Sequence, residues 1–307
     1  MSSRIFFLRL VVFLLIFFAI DLVTSSFMLN GLNKFYGFNG KPAILINGSS
    51  MSLSGFNKSE IEKQLQTRVA IYAKEGVGVE DRHAMLQQFF SNRSQAVKTV
   101  IYELNPLLFS KTLTAANVYT IFYPFMDNKA IDKYIKNRAP AKEYFAHKFF
   151  RSSRFDALTI NLAVKGYMDK YENFKTNAID PATAYFTTKD AGKVKVEMSP
   201  EKLSVFEQSL KLVKENNARV VLVMMPIYYQ KRATFDSSSY QKLDSYFRQL
   251  SGAGTNISYL DLNKPEITRN ALLYSDVLHL NRDGQNSVTA AIVHFFKTVG
   301  STELTKH

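Results

Sequence analysis

The residues with the clearest chemical potential are Asp276 and His279, which stand three apart in LLYSDVLHLNRDGQ near the C-terminus. On a turn, this spacing lets the carboxylate accept a hydrogen bond from the imidazole Nδ1–H, while Nε2 faces a substrate or a serine. Taken alone, an Asp-x-x-His pair is a weak signal, because a lone surface pair of this kind is usually structural. The pair predicts a catalytic base only where a nucleophile lies within its reach.

A candidate nucleophile stands far upstream in ILINGSSMS, where an apolar strand runs directly into small polar residues. Ser49 and Ser50 are predicted at the carboxyl end of this first strand, shortly before a helix. A serine hydroxyl is a poor nucleophile unless a nearby base takes its proton, and His279 oriented by Asp276 is a candidate for that base. The alternative is that Gly48 and the two serines only form a turn, which these residue types favour.

The elements that would bring these residues together alternate between short apolar runs and longer amphipathic ones. This alternation predicts an α/β fold in which helices cover both faces of a parallel sheet of about five strands. Ligands of such sheets bind at the carboxyl ends of the strands. The predicted strands are 43–46, 68–73, 97–104, 219–224 and 257–262, and the predicted helices are 58–66, 80–90, 200–216 with Ser199 as N-cap, 238–250 and 284–299.

Residues 1–30 predict a membrane anchor. Arg4 and Arg9 precede an apolar run from Leu10 to Leu29 in which Asp21 is the only charge. The run is close to the roughly 20 residues that a membrane span needs, and no obvious small-x-small cleavage site follows it, so we favour an uncleaved anchor over a cleaved signal peptide. Both arginines precede the span, which predicts a cytoplasmic N-terminus and an extracytoplasmic domain. A buried helix of a soluble protein is the remaining alternative.

The rest of the chain, residues 31–307, is predicted to form one domain with a helical insertion at 108–198. The full chain has 307 residues and is 46% hydrophobic, which is enough to fill a core. The insertion is rich in Phe, Tyr and Lys, and we interpret it either as a lid or docking subdomain or as extra helical packing without a direct role.

The charge balance is consistent with an anionic partner. The formal net charge is +13, and residues 128–195 contain 14 Lys or Arg against 7 Asp or Glu. Outside the cytoplasm such a partner would be a lipid headgroup or an acidic cell-surface polymer, and we expect no nucleic acid. The alternative is a solvated lysine-rich surface.

Several kinds of chemistry are excluded or made improbable by the sequence. The absence of cysteine excludes disulfides, thiolate zinc sites and cysteine nucleophiles. We expect no metal site, because His83, His147 and His294 lack partners at metal-ligand spacing. We also expect no cofactor, since there is no phosphate-binding loop and Gly76-x-Gly78 lacks the rest of the dinucleotide fingerprint.

Four stretches of the chain resemble sequence blocks of the SGNH/GDSL hydrolase superfamily. ILINGSSMS is similar to the first block, in which Gly-Asp-Ser follows the first strand, and SDVLHLNRDGQ closely matches Asp-x-x-His of the fifth block. The resemblance implies Ser50 as the nucleophile, His279 as its base and Asp276 as the orienting carboxylate. It also implies a three-layer flavodoxin-like fold.

The other two stretches imply an oxyanion hole, the set of donors that stabilises the negative oxygen formed during acyl transfer. VAIYAKEGVGVEDR resembles the second block, whose glycine donates a backbone N–H, and indicates Gly78, with Gly76 as second choice. VIYELNP resembles the third block, whose Asn side chain is another donor, and indicates Asn105. The Ser50 N–H would be the third donor. Alternatively, Gly78 is an ordinary turn glycine and Asn105 caps a strand end before Pro106.

The chain departs from the family pattern at three positions. Ser49 replaces the Asp of the first block, Glu103 stands where the third block has Gly, and Pro106 stands where it has Asp. These departures resemble the membrane-anchored cell-envelope branch, which includes proteins of alginate O-acetylation and of D-alanyl transfer to lipoteichoic acid. Proteins of that branch pair with a multi-pass membrane acyltransferase.

The function that the resemblance implies is acyl transfer through an acyl-Ser50 intermediate. The expected activity is an O-acyltransferase, for example an acetyltransferase, that acts on a cell-envelope polysaccharide. A carbohydrate or lipid esterase is one alternative, and a catalytically silent scaffold of a membrane complex is another.

Overall fold

The computed structural model describes residues 3–91, 97–110, 117–170, 175–189, 192–252 and 254–303. The chain divides into two compact units. The first contains Met1–Phe35 and Tyr119–Lys170, and the second contains Tyr36–Val118 and Tyr171–His307.

The second unit is built on a five-stranded parallel sheet. Its strands are β1 (Ile44–Gly48), β2 (Val69–Ala73), β3 (Thr99–Leu104), β4 (Arg219–Met224) and β5 (Ile257–Asp261). They lie in the order β2-β1-β3-β4-β5. The first three are buried along their whole length, because a strand covered by helices on both faces has no solvent side. The sequence prediction of a five-stranded α/β fold is confirmed, with strand ends within two residues of those expected.

Helices cover both faces of the sheet and form most of the first unit. The helices of the described chain are α1 (Ser3–Tyr36), α2 (Ser50–Gly55), α3 (Lys58–Leu65), α4 (Val79–Ser91), α5 (Lys129–Lys136), α6 (Ala141–Phe149), α7 (Ala157–Tyr167), α8 (Pro181–Thr188), α9 (Pro200–Glu215), α10 (Tyr229–Arg232), α11 (Ser237–Leu250), α12 (Pro265–Thr268) and α13 (Arg282–Glu303). Helix α4 packs against α9, and α13 packs against α2 and α3. Ser199 is the N-cap of α9 as predicted, although its hydroxyl bonds to Glu201 and not to a backbone N–H.

The strand order explains how distant parts of the chain reach one site. The connection from β1 to β2 runs in one direction across the sheet, and the later connections run in the other. The direction reverses between β1 and β3, and open α/β sheets bind ligands at the carboxyl ends of strands at such a reversal. Ser50 follows β1 and Asn105 follows β3, so both lie at this point.

The first unit contains α1 together with α5, α6 and α7. Helix α1 has 34 residues and is long and apolar enough to cross a membrane. The predicted anchor, residues 1–30, is therefore part of a longer helix. Near its C-terminal end α1 contacts α7, where the Tyr167 ring stacks on Phe27 with ring centroids 4.7 Å apart and the Tyr167 hydroxyl donates to the Phe27 carbonyl.

Candidate active site

The turn that presents Ser50 lies between the end of β1 and the start of α2. Gly48 allows this turn, because a Cβ there would lie 2.7 Å from Oε2 of Glu103 and would collide with the side chain of Ser52. Ser49 caps α2 by accepting a hydrogen bond from the Met51 N–H. Ser50 is consequently the first residue of the helix, and it lines a pocket at the edge of the sheet.

Asp276 and His279 form a closed turn before α13. The Asp276 carboxylate accepts hydrogen bonds from the backbone N–H groups of Leu278 and His279, at 2.9 and 2.8 Å. The same carboxylate lies 2.9 Å from Nδ1 of the His279 ring. The spacing of three residues thus lets one carboxylate hold both the backbone of the turn and the imidazole ring.

A chain segment from the end of the predicted insertion supports this turn. The Arg282 N–H donates to the Lys175 carbonyl at 2.8 Å, and the Ile179 N–H donates to the Tyr274 carbonyl at 2.7 Å. On the other side, a Cβ at Gly284 would lie 2.1 Å from the Leu273 carbonyl oxygen, so glycine permits α13 to approach closely. This support was not predictable from the sequence, since no local pattern marks residues that bond to a distant loop.

The structure brings Ser50, His279 and Asp276 together as a hydrogen-bonded relay. Nε2 of His279 lies 2.9 Å from Oγ of Ser50, although the two residues are 229 positions apart. Burial raises the pKa of Asp276, but hydrogen bonds from the His279 ring and from two backbone N–H groups outweigh it and lower the pKa to about 2. The ionised carboxylate can only accept, so in a neutral imidazole the proton is on Nδ1 and Nε2 accepts from Ser50.

Asn105 is placed to donate to an oxyanion. Its Oδ1 accepts the Leu107 N–H at 3.0 Å, and its Nδ2 donates one hydrogen to Oε1 of Glu103 at 3.2 Å. These two bonds fix the orientation of the amide and leave its second N–H for a ligand. Within the described ranges the Ser50 N–H has no protein partner, and Ser50 and Asn105 line the same pocket.

Gly78 lines this pocket as well, but its N–H is engaged in another hydrogen bond. It donates to Oδ2 of Asp81 at 2.6 Å, a contact that closes the first turn of α4. A role for Gly78 as an oxyanion donor stays a prediction, and it requires this bond to be shared or broken. Gly76, the second choice, also lines the pocket and has a positive φ of 72°.

The pocket at the relay is small and mostly apolar at its walls. Its volume is about 180 Å³, and Met51, Leu108 and Ile227 are among its lining residues. Lys202 also lines it. This lysine is buried, and its ammonium donates to the Ser110 carbonyl at 2.6 Å. Lys202 was not predicted at the site, because in the sequence it is an ordinary polar residue in the first turn of a helix.

The turn before α2 is held by a buried carboxylate from the neighbouring strand. Glu103 is fully buried, and its Oε2 accepts the backbone N–H groups of Ser49 and Ser52 at 2.6 and 3.2 Å. The hydroxyls of both serines donate to the same carboxylate, at 2.9 Å in each case. Glu103 therefore fixes the residues on either side of Ser50 as well as the Asn105 amide.

The charge of Glu103 is balanced by Arg82, which is also fully buried. Nη2 of Arg82 lies 2.8 Å from Oε1 of Glu103. Burial raises the pKa of Glu103, but Arg82 and the hydrogen bonds from Ser49 and Ser52 outweigh burial, and the net pKa lies below its usual value. Burial alone lowers the pKa of Arg82, whereas Glu103 raises it, and the net shift is upward. Both groups are thus charged in the folded protein.

This network was missed from the sequence, although one signal for it was present. Ser49 stands where the resemblance led us to expect an Asp, and Glu103, on the adjacent strand, carries a carboxylate. The register pairs Asn47 with Tyr102, so the residues that follow each of them are also neighbours. The carboxylate that holds the turn around Ser50 therefore comes from β3 and not from the end of β1.

The lowered pKa of Glu103 predicts that the contribution of this carboxylate to stability depends on pH. We expect the unfolding free energy of the wild type to exceed that of Glu103→Gln by the largest margin above pH 4.5, the ordinary pKa of the side chain. The margin should shrink as the pH falls through the lower folded-state pKa, because the wild-type carboxylate then takes up a proton and the glutamine does not. Urea unfolding of both proteins across this pH range measures the difference in unfolding free energy. A difference that does not change with pH would contradict an ionised Glu103 paired with Arg82.

Comparisons with known proteins add little to this geometry. No protein-family model matches the chain, and no curated protein matches it. A solved structure from Streptococcus pneumonia, provisionally described as a platelet activating factor, aligns over 96% of this chain and 99% of its own. The identity is 12% and the TM-score is 0.39. A likeness of this size supports no functional argument.

Proposed function

We propose that this chain is a serine acyl-transfer enzyme of the SGNH type, anchored by α1 with its sheet unit outside the cytoplasm. The observation that carries the proposal is the relay from Ser50 through His279 to Asp276, with hydrogen-bond distances of 2.9 Å at both steps. A nucleophile, a base within reach and a group that orients the base are the three parts that serine acyl transfer needs.

In the first half-reaction Ser50 takes an acyl group from an ester. His279 Nε2 accepts the hydroxyl proton while Ser50 Oγ attacks the ester carbonyl, and the carbonyl oxygen becomes negative. The Asn105 amide and the Ser50 N–H donate to this oxygen; loss of one such donor typically costs about 3 to 4 kcal/mol of transition-state stabilisation. The C–O bond of the ester then breaks, the leaving alkoxide takes the proton from His279, and acyl-Ser50 remains.

In the second half-reaction a hydroxyl group takes the acyl group from Ser50. His279 accepts the proton of the incoming hydroxyl, which attacks the acyl carbonyl, and the proton is then returned to Ser50 Oγ as the acyl–serine bond breaks. Asp276 stays ionised throughout and stabilises the imidazolium that forms in each half-reaction. With water as acceptor the enzyme is an esterase, and with a sugar hydroxyl it is an O-acyltransferase.

We favour a sugar hydroxyl of a cell-envelope polysaccharide as the acceptor. The support is the apolar helix α1 and the resemblance to the membrane-anchored branch, whose members pair with a multi-pass membrane acyltransferase. The small pocket favours a short acyl group such as acetyl over a fatty acyl chain. Hydrolysis by the same acyl-enzyme, as a carbohydrate or lipid esterase, is the alternative.

The acceptor is tested by following the acyl group. Full-length protein in detergent is given a chromogenic acetyl ester, with and without soluble oligosaccharides, and acetylated sugar and free acetate are both measured. We expect the oligosaccharide to receive acetyl groups faster than water does. Release of acetate alone would contradict the transferase and leave an esterase, and no turnover of any ester would contradict acyl transfer as a whole.

A further inference from the structure

The first unit exposes an unusual share of apolar surface outside α1. Of the eleven large apolar side chains that are exposed in the described chain beyond α1, seven lie between Phe145 and Met168. Exposed apolar surface concentrated in this way marks a place where the protein meets another apolar phase.

These side chains form ordered rows. On α6, Phe145 and Phe149 are four residues apart, so they share one face of the helix, and they are 53% and 68% exposed. Phe150 follows directly and is also exposed. On α7 and just beyond it, Ile160, Val164 and Met168 repeat the same spacing of four. We refer to Phe145, Phe149 and Phe150 as the aromatic ridge.

The aromatic ridge touches α1 within the apolar part of that helix. The ring of Phe150 lies 6.1 Å from Phe17 and 6.5 Å from Phe18, measured between centroids. Phe17 stands one helical turn before Asp21, about 6 Å along the helix axis. Phe150, the last residue of the ridge, is therefore at the depth of α1 residues whose side chains are apolar and exposed.

A buried carboxylate fixes this contact. Asp21, the only charge in the apolar run of α1, is 5% exposed. It accepts the backbone N–H groups of Arg151 and Ser152 at 2.8 and 2.7 Å, directly after the ridge. A carboxylate satisfied in this way can lie close to a hydrocarbon phase, because its hydrogen bonds replace those that water would supply.

The charge around the ridge suits an anionic lipid surface. Residues 119–170 contain ten Lys or Arg against five Asp or Glu. Lys148, Arg151 and Arg154 among them form ion pairs with Asp132 or Asp127. Lys142 precedes Phe145 by three residues, and both are exposed on α6. Apolar side chains beside basic ones are typical of helices that lie in the interface of a bilayer.

We propose that the aromatic ridge inserts into the bilayer that α1 crosses, so that the first unit is seated on the membrane as well as anchored through it. The ridge enters the acyl-chain region at the depth of Phe17 and Phe18 on α1, and the exposed Lys142 on α6 reaches toward anionic headgroups. This inference rests on the anchor in the proposed function and is independent of the catalytic role of Ser50.

Because the chain contains no tryptophan, a single introduced Trp reports its own surroundings. Three full-length variants are reconstituted into vesicles of phosphatidylcholine and phosphatidylglycerol, with or without bromine on the acyl chains, which quenches nearby Trp. Phe149→Trp senses the environment of the ridge, and Phe13→Trp senses that of the predicted anchor. Gln249→Trp, at an exposed polar position of α11, is the control for a Trp in contact with water. Phe145→Trp is a second ridge reporter in case Phe149→Trp does not fold.

We expect the ridge Trp to emit at shorter wavelength than the Gln249→Trp protein and to lose most of its emission in brominated vesicles. Quenching of Phe13→Trp without quenching of the ridge Trp would contradict insertion of the ridge but would still support α1 as a membrane anchor. A ridge Trp that shifts to shorter wavelength without quenching would also contradict insertion of the ridge, since the ridge then packs on protein. Absence of quenching of Phe13→Trp would contradict both the membrane anchor and the insertion of the ridge. None of these results tests the catalytic role of Ser50.

Discussion

We expect Ser50→Ala to lower the turnover of a chromogenic acetyl ester by about 10⁴-fold to 10⁶-fold, to the level that the proposed oxyanion donors and binding would support alone. The hydroxyl is the only atom group removed, and it is the group that His279 Nε2 contacts at 2.9 Å. In the proposed mechanism the relay acts as one unit, so removal of the Ser50 hydroxyl should eliminate the covalent route. Initial rates at equal concentrations of the two full-length proteins measure this loss.

The matched control is Ser54→Ala in the same short helix. The Ser54 hydroxyl donates to the Met51 carbonyl, and Ser54 does not line the pocket. We expect its turnover to stay close to that of the wild type. A Ser50→Ala protein that is folded and keeps more than a small part of its activity would show that another residue is the nucleophile.

Arg82→Met destabilises the protein by about 3 to 5 kcal/mol, because it leaves the buried carboxylate of Glu103 without its counter-charge. Arg82 and Glu103 both have fully buried side chains and lie 2.8 Å apart. The hydrogen bonds from Ser49 and Ser52 remain, but they do not neutralise the charge. Urea unfolding of full-length protein in detergent, near neutral pH, measures the change.

An exposed ion pair provides the control for this effect. Arg248 lies 2.7 Å from Asp244 within α11, and the Arg248 side chain is more than half exposed. Arg248→Met should therefore cost no more than about 1 kcal/mol. Equal losses for the two substitutions would contradict the view that burial makes the Arg82–Glu103 pair important.

The sheet was predictable because its signal is local. Each strand of the buried sheet is a short run of apolar residues, and each covering helix has its own amphipathic period and end signals. Ser50 and Asn105 lie close together because they follow the ends of adjacent parallel strands. Ser50 was predicted from the strand that precedes it, whereas Asn105 was predicted only from the family resemblance. Asp276 and His279 were predictable as a pair because three residues of spacing suffice for the carboxylate to reach the ring.

The contacts that hold the site in place were less accessible from the sequence. Glu103 could be read as a departure from a family pattern, but its bonds to Ser49 and Ser52 connect residues more than fifty positions apart. Periodicity reports burial along a segment and contains no information on such partners. The Gly78 N–H donates to Asp81, three residues away, and the family resemblance had instead implied that this N–H would donate to an oxyanion.

The predicted insertion shows the same limit. Its helical content was expected from composition and pattern, and helices are found there. Its division was not expected: residues from Tyr119 to Lys170 group with α1, while the chain from Tyr171 onward belongs to the unit of the sheet. The contact between Phe150 and the apolar part of α1 depends on tertiary packing, which no local pattern marks.

Labelling with a fluorophosphonate probe tests the central claim, that His279 activates Ser50 for attack on a carbonyl-like centre. The probe reacts with activated serines, and mass spectrometry of the digested full-length protein locates the adduct. We predict an adduct on Ser50 in the wild type and in Ser54→Ala, much slower labelling in His279→Ala, and none in Ser50→Ala. An adduct on another residue, or a folded wild-type protein that takes no label, would contradict the account.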